Sequence, residues 1–184
     1  MSKIVALIGS PSPHSRTKGV IDSVLAQIAQ KAGTRATTIQ IGNLLSDLAV
    51  LSRDDASDQV RAALRAVEES DLLIVGTPVY KGSYPGLFKH FIDLLDYKAL
   101  TGLPVGLVAT GGSDRHALVV EHQLRPLFGF FNAQTLPTGV FIRDNVIVDG
   151  DVRDELVAAR LNQLTHEAIL ALTATPAPYA RHVA

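Results

Sequence analysis

Short runs of apolar residues alternate along the chain with longer stretches in which an apolar residue recurs every three or four positions. The short runs are typical of buried β-strands, and the spaced pattern is typical of helices that bury one face. Strands are predicted at residues 4–8, 37–41, 72–76, 105–109 and 135–142. Helices are predicted at residues 16–32, 57–70, 85–95 and 114–131, and a last helix, capped by Asp151, runs to about residue 172.

This alternation predicts an α/β fold whose strands form one doubly wound parallel sheet with helices on both faces. Right-handed crossovers leave few strand orders, and we predict the flavodoxin-like five-stranded order 2-1-3-4-5. In that order the turns after the first, third and fourth strands meet in one crevice at the carboxyl ends of the strands. We expect a single domain over residues 1–173 and a mobile tail, rich in Ala, Thr and Pro, over residues 174–184.

The composition narrows the possible functions by exclusion. Apolar residues make up 47% and charged residues 19% of the 184 residues, which is typical of a globular protein. The net charge of −1 gives no sign of a nucleic-acid-binding surface, and no run reaches the ~20 apolar residues of a membrane span. The absence of cysteine excludes disulfides and thiol catalysis, and the six scattered histidines predict no metal site. We expect a cytoplasmic protein with neither a nucleic-acid nor a membrane partner.

The turn after the first strand carries the side chains of an anion site. Ser10, Ser12, Ser15 and Thr17 offer hydroxyl donors, Arg16 offers a guanidinium, and the N-terminus of a helix follows. The turn contains neither G-x-G-x-x-G nor G-K-[ST], which argues against a dinucleotide-binding half and against a P-loop. A phosphate site is one interpretation, and a turn in which Ser15 only caps the helix is the other.

Two later turns hold candidates for the rest of a ligand site. Tyr80 and Tyr84 lie among glycines after the third strand, where a flat ligand could rest against the backbone. After the fourth strand, Gly111 and Gly112 could direct backbone N–H groups at a ligand carbonyl. An ordinary loop with surface tyrosines and a glycine pair chosen for steric reasons explain the same residues, so both interpretations stay open.

Taken together, the three turns resemble a known family. Their motifs are Gly9-Ser10-Pro11-x-x-x-Ser15-Arg16-Thr17, Thr77-Pro78-Val79-Tyr80-Lys81-Gly82-Ser83-Tyr84-Pro85-Gly86 and Ala109-Thr110-Gly111-Gly112. In this order and spacing they resemble the NAD(P)H-dependent FMN reductases of flavodoxin-like fold, above all the reductases that supply two-component alkanesulfonate and methanesulfonate monooxygenases. The resemblance extends in register from residue 3 to about residue 172.

The resemblance implies an enzyme that passes a hydride from NAD(P)H to FMN and hands the reduced flavin to a monooxygenase in sulfonate desulfonation, for sulfur acquisition. It also implies three groups of FMN-binding residues. The phosphate would be held by Ser10, Ser15, Arg16 and Thr17, the isoalloxazine would lie along Pro78, Val79, Tyr80 and Lys81 with Ser83 nearby, and its pyrimidine edge would face Thr110, Gly111 and Gly112. Because hydride transfer needs stacked rings and no protein acid or nucleophile, we predict no single catalytic residue.

Two positions depart from the family pattern. Ser12 stands where many relatives have an arginine, which predicts weaker retention of the flavin. In relatives from sulfonate systems, the helix after the glycine pair can carry an extra tyrosine associated with a π-type bulge and tetramer packing, and His122 occupies that position. The choice between NADH and NADPH stays open.

Segments 87–95 and 118–131 carry more apolar side chains than one sheet-facing stripe needs. They predict a homodimer or homotetramer in which these helices pack across a two-fold axis, unless both helices are simply buried in the monomer. Three other functions share the fold: a quinone or azo-compound reductase with bound FMN, a flavodoxin-type electron carrier, and a regulatory module without catalysis. The net charge of −1 argues against the carrier, since such carriers are usually strongly acidic.

Overall fold

The computed structural model describes residues 2–33 and 36–173, so the tail predicted to be mobile lies outside the described residues. The parallel sheet has the order β2-β1-β3-β4, and two short strands, β5 and β6, pair with the outer edge of β4. The predicted order 2-1-3-4-5 is therefore confirmed, with the fifth position shared by two strands. The strands are β1 (Ile4–Ile8), β2 (Ala36–Gln40), β3 (Leu72–Pro78), β4 (Pro104–Gly111), β5 (Gln134–Thr135) and β6 (Val140–Arg143).

Helices cover both faces of the sheet, as predicted. The first and last helices bury Ile21, Ile28 and Leu164 on one face, and the other three bury Val60, Phe88 and Phe128 on the opposite face. In the described part of the chain, no helix is both long and apolar enough to cross a bilayer. The α-helices are α1 (Arg16–Ala32), α2 (Asp58–Glu68), α3 (Gly86–Asp93), α4 (Arg125–Phe130) and α5 (Glu155–Thr173).

Some predicted boundaries move where strands pair further than their apolar runs suggest. Thr77 pairs with Ala109 and Pro78 with Thr110, so β3 and β4 extend into the segments that the sequence assigns to turns. The expected partly buried connection after β2 is a 3₁₀-helix, Ile41–Asp47, followed by irregular chain. These extensions bring polar residues to the carboxyl ends of the strands.

The predicted continuous helix over residues 114–131 is wrong, because the structure breaks it into pieces. A 3₁₀ turn (Asp114–His116) is followed by a π-helix (Val120–Leu124), and only then does α4 begin. Pro126 gives a physical reason for the irregularity, because its ring lacks an N–H and collides with the carbonyl four residues earlier in a regular α-helix.

The predicted fifth strand is interrupted between β5 and β6 at residues 136–139. Pro137 has no N–H and cannot donate a hydrogen bond to a neighbouring strand. The backbone groups on either side of it form hydrogen bonds with side chains instead. Arg125 Nη1 donates to the Leu136 carbonyl at 3.0 Å, and the Thr138 N–H donates to Glu167 Oε2 at 2.9 Å. The break is therefore a hydrogen-bonded feature rather than a disordered one.

Asp151 does not cap the last helix, contrary to the prediction. It lies in β8 (Asp151–Val152), which pairs antiparallel with β7 (Ile147–Val148) as a small separate hairpin. The helix begins at Glu155, and Asp154 Oδ1 accepts hydrogen bonds from the N–H groups of Leu156 and Val157, at 3.0 and 3.1 Å. The prediction placed the helix start three residues too early.

The apolar surplus of segments 87–95 and 118–131 is mostly buried within the chain itself. Only three of the large apolar residues there are exposed by a third or more: Leu87 by 36%, Leu118 by 60% and Phe130 by 71%. The sequence argument for an oligomer therefore rests on a smaller surface than expected. The side chains of the two segments that the chain buries are Phe88, Phe91, Ile92, Leu94, Leu95, Val119, Val120, Leu124, Phe128 and Phe131.

Candidate flavin site

The carboxyl ends of β1, β3 and β4 open onto one crevice of about 680 Å³. This volume lies within the range of about 300–1,000 Å³ that is typical of small-molecule sites. The predicted site residues that line the crevice are Ser10, Ser15, Arg16, Thr17, Pro78, Tyr80 and Thr110.

Two carbonyl oxygens of the first turn accept hydrogen bonds from residues that follow in the chain. The Ser10 carbonyl accepts a hydrogen bond from the Gly42 N–H at 3.1 Å, and the Ser12 carbonyl accepts one from Gln40 Nε2 at 2.8 Å. A Cβ built on Gly42 would lie 2.9 Å from the Pro11 carbonyl oxygen, so the turn is packed tightly on the end of β2. Because carbonyl oxygens repel anions, donors that bind them make the turn more suitable for a phosphate.

The N-terminus of α1 supplies the positive end of the site. Ser15 Oγ caps the helix by accepting the Lys18 N–H at 3.3 Å, and the same residue lines the crevice, so the two interpretations of Ser15 are compatible. Arg16 is exposed and forms no ion pair with the described residues, whereas Lys18 is paired with Asp22. The first N–H groups of a helix lack intrahelical partners and attract anions.

A buried hydroxyl pair joins the first turn to the fourth strand. Thr17 Oγ1 and Thr110 Oγ1 lie 2.7 Å apart, and both residues are about 1% exposed. One hydroxyl donates to the other, so the pair keeps a single proton for a ligand or another acceptor. The bond fixes the spacing between α1 and β4 at the floor of the crevice.

The tyrosine turn contributes fewer residues than the sequence predicts. Tyr80 and Ser83 exchange backbone hydrogen bonds of 2.7 and 3.2 Å around Lys81 and Gly82, whose φ angles are 53° and 87°. Two central residues with positive φ make a tight type I′ turn. Tyr80 lines the crevice and is 47% exposed, whereas Val79, Lys81 and Ser83 are absent from the lining. Ser83 Oγ instead donates to Gln123 Oε1 at 3.2 Å.

Packing explains the lack of a side chain at Gly111 but not at Gly112. A Cβ on Gly111 would lie 3.3 Å from the Phe141 ring, and a Cβ on Gly112 would lie 3.9 Å from Asp144 Oδ2. Gly111 lies at the end of β4, paired with Arg143, and neither glycine lines the crevice. The steric interpretation of the pair is therefore sufficient for Gly111.

The outer wall of the crevice was missed by the sequence reasoning. It comes from the β7–β8 hairpin, whose turn residues Asp149 and Gly150 have φ angles of 53° and 88°. Asp-Gly between short apolar runs is a strong type I′ hairpin signal, so this wall was detectable in the sequence. The further lining residues are Ser12, His14, Gly19, Asp144, Ile147, Asp149 and Gly150.

The hairpin touches α1 at a contact that only glycines allow. A Cβ on Gly19 would lie 2.8 Å from Gly150 Cα, which is closer than real Cβ atoms approach. The turn therefore lies against the first turn of α1, beside the helix terminus that carries Arg16.

Comparison with known proteins identifies the family. The family model described as NADPH-dependent FMN reductase matches residues 2–147. The chain belongs to this family. Its reaction and cofactors are accordingly those of an NAD(P)H:FMN oxidoreductase.

Individual relatives of this FMN reductase agree with the assignment. NADH-dependent FMN reductase SfnF from Pseudomonas fluorescens (strain Pf0-1) is 46% identical over 160 residues, which cover 86% of each chain. FMN reductase (NADPH) from Pseudomonas aeruginosa is 42% identical over 160 residues, again 86% of each chain. The apo crystal structure of the NADH:FMN oxidoreductase EMOB superposes with a TM-score of 0.83 at 30% identity, covering 99% of this chain and 95% of that chain.

The donors of the FMN reductase crevice fit the phosphate end of FMN. Hydroxyls, a helix N-terminus and one guanidinium are the groups that recognise a phosphate monoester. Across residues 2–33 and 36–173, no three acidic or histidine side chains are placed to hold a metal ion. His122 lies within the π-helix, so the irregular helix is present with histidine at this position.

Proposed function

We propose that this FMN reductase binds FMN in the crevice at the ends of β1, β3 and β4 and supplies reduced flavin to a partner monooxygenase of a sulfonate-oxidising system. The observation that carries the site assignment is that one crevice is lined by residues at the carboxyl ends of three separate strands, with Arg16 at its helix-terminal end. The monooxygenase partner follows from the resemblance of the three motifs, and contact with it is expected to be transient.

The proposed contacts follow the ends of the three strands. The hydroxyls of the first turn and Arg16 hold the phosphate, and Pro78 and Tyr80 lie along the ring. Val79 acts through its backbone, because its N–H donates to the Thr110 carbonyl at 2.7 Å and thereby ties the tyrosine turn to β4. The full proposed set is Ser10, Ser15, Arg16, Thr17, Pro78, Val79, Tyr80, Lys81, Ser83, Thr110, Gly111 and Gly112.

In this reaction the protein positions the two rings and supplies no reacting group of its own. FMN, when bound, supplies the electrophilic ring that accepts the hydride of NAD(P)H. The protein fixes the ring against the backbone of β3 and β4 and leaves one side open at Tyr80, which is half-exposed. Positioning two rings in this way supplies most of the rate enhancement, so no single substitution is expected to abolish turnover.

We also propose that the FMN reductase is a homodimer or homotetramer. The exposed side chains of Leu87, Leu118 and Phe130 are the apolar surface that remains for such contacts. Light scattering coupled to size exclusion at micromolar concentration tests this, and a stable monomer would contradict it.

The phosphate assignment is tested by comparing FMN with riboflavin, which lacks the phosphate. Replacing Arg16 with alanine should raise the KM for FMN about tenfold, the usual value of one charge-assisted hydrogen bond, and should leave riboflavin reduction within about twofold. Lys31→Ala, which removes the same charge from the last turn of α1, is the matched control.

Two outcomes would contradict the proposal. If Arg16→Ala changed the KM for FMN and the KM for riboflavin equally, the phosphate would not bind at the first turn. Ping-pong turnover of a quinone by a form that retains FMN, with no saturation by free FMN, would favour the quinone reductase instead.

A further inference from the structure

The charges around the crevice do not match its proposed ligand. Arg16 is the one lysine or arginine among the described lining residues, and Asp144 and Asp149 are two carboxylates in the same lining. In the described part of the chain neither carboxylate accepts a hydrogen bond from a side chain or forms an ion pair. A site for a phosphate therefore contains more unpaired acidic groups than basic ones.

We propose that Asp149 repels the FMN phosphate and so keeps the flavin exchangeable, an inference that rests on the proposed phosphate site at the first turn. The residue lowers affinity for phosphorylated flavins and acts on the ligand through space. It suits an enzyme that hands its reduced flavin on, because tight retention would oppose release.

The hairpin contact places Asp149 near the phosphate end of the crevice. Gly150 lies against Gly19, and Gly19 follows Arg16 by three residues, or about 4.5 Å along the helix axis. Asp149 is the next residue along the hairpin, about 3.8 Å from Gly150 between Cα atoms. Arg16 and Asp149 line the same crevice, so a phosphate held at Arg16 would lie on the order of 10 Å from the Asp149 carboxylate, which is about the screening length at 0.1 M salt.

Asp149 also has an ordinary structural explanation, which the test must separate from this one. Asp is favoured at the first central position of a type I′ turn, where Asp149 has a φ of 53°. Asn is at least as favourable there and carries no charge. Asp149→Asn therefore removes the proposed repulsion and keeps the turn.

The test measures the Kd of FMN and of riboflavin by quenching of flavin fluorescence, at low salt and at about 1 M salt. Asp149→Asn should tighten FMN binding about three- to tenfold at low salt and leave riboflavin within about twofold. At about 1 M salt, where the screening length is about 3 Å, the difference between variant and wild type should vanish. Asp151→Asn, on the same hairpin and outside the crevice lining, should change neither Kd.

An unchanged FMN Kd, or equal tightening of both flavins, would overturn the inference. Asp149→Gly, which also suits a type I′ turn, should tighten FMN binding in the same way and guards against a folding defect in the first variant. The proposed site is judged separately. If Arg16→Ala weakens FMN selectively and both Asp149 variants behave as wild type, only the role of Asp149 fails.

Discussion

Two regions of the FMN reductase differ in which groups form hydrogen bonds with their backbone N–H and C=O groups. In the N-terminal unit, residues 4–33, the strand ladder and the helix bond their own polar groups, and β1 and α1 end where the apolar pattern predicts. In the outer segment, residues 113–154, charged side chains of two helices, Arg125 of α4 and Glu167 of α5, bond the backbone at the break between β5 and β6. The periodicity of apolar residues therefore predicts structure well only where backbone groups bond each other within helices and strands.

Two glycines, one packed against the N-terminal unit and one in the outer segment, differ sharply in the space around them. A Cβ on Gly76 of β3 would lie 2.4 Å from Ile21 Cγ1 of α1, whereas a Cβ on Gly129 of α4 would have no atom within 4 Å among the described residues. The same substitution should therefore act in opposite directions at these two glycines.

Replacing Gly76 with alanine should give the largest effect. Overpacking against Ile21 should lower the free energy of unfolding by about 3 kcal/mol. Gly129→Ala is the matched control and should raise it by about 0.5–1 kcal/mol, because alanine favours the helix. Urea unfolding followed by circular dichroism measures both, and equal effects would erase the contrast in packing.

Replacing Arg125 with alanine should come next in size. Arg125 bonds Glu121, the Thr135 hydroxyl and the Leu136 carbonyl, so it joins the π-helix to the interrupted fifth strand. Its loss should cost about 2 kcal/mol of unfolding free energy, since several partners lose their donor.

Arg160→Ala provides the comparison for that variant, because the Arg160 side chain makes a single hydrogen bond with the described residues, to the Gly139 carbonyl at 3.0 Å. A cost of about 0.5 kcal/mol is expected there. If chemical denaturation shows the same loss of unfolding free energy for both variants, the hydrogen bonds of the Arg125 side chain are not what stabilises the outer segment.

The smallest effect concerns pH. The hydrogen bond from Arg125 lowers the pKa of Glu121 below its ordinary value of 4.5, although partial burial opposes the shift. A carboxyl with a lowered folded-state pKa stabilises the fold above the unfolded pKa, and that contribution is lost as the pH falls through the folded pKa. Because Glu121 is about half-exposed, it contributes at most about 0.5 kcal/mol.

Unfolding of wild type and Glu121→Gln between pH 6 and pH 3 measures that contribution. The difference in stability should be constant near pH 6 and should shrink as the pH falls below the ordinary carboxyl pKa of 4.5 and through the lowered folded-state pKa. The same comparison in an Arg125→Ala background should be flat, and a persistent pH dependence there would assign the effect to another partner of Glu121.

The sequence was informative where one periodicity governed a whole element. The apolar stripe of α1, the capping Ser15 and the final Gly33 with a φ of 62° all act locally, so the helix could be delimited without tertiary information. The phosphate site proposed at the first turn is predicted for the same reason, since its candidate donors all lie within residues 10–17.

What the sequence reasoning missed depended on distant partners. The break at Pro137 exists because Arg125 and Glu167 reach it from other elements, and periodicity carries no trace of such contacts. The crevice wall is a different case. Its Asp149–Gly150 turn is a local sequence signal, but no element was predicted for residues 143–150.

The contact between Gly19 and Gly150 limits how this protein can be altered. A surface hairpin with an Asp-Gly turn would ordinarily be an attractive place to insert an epitope tag or to create new chain termini. Here the turn packs against the helix that begins beside the crevice, so an insertion would displace a wall of the candidate flavin site. Tags and permuted ends are better placed at the exposed, irregular chain around Leu51, which is 98% exposed and remote in sequence from every residue of the crevice lining.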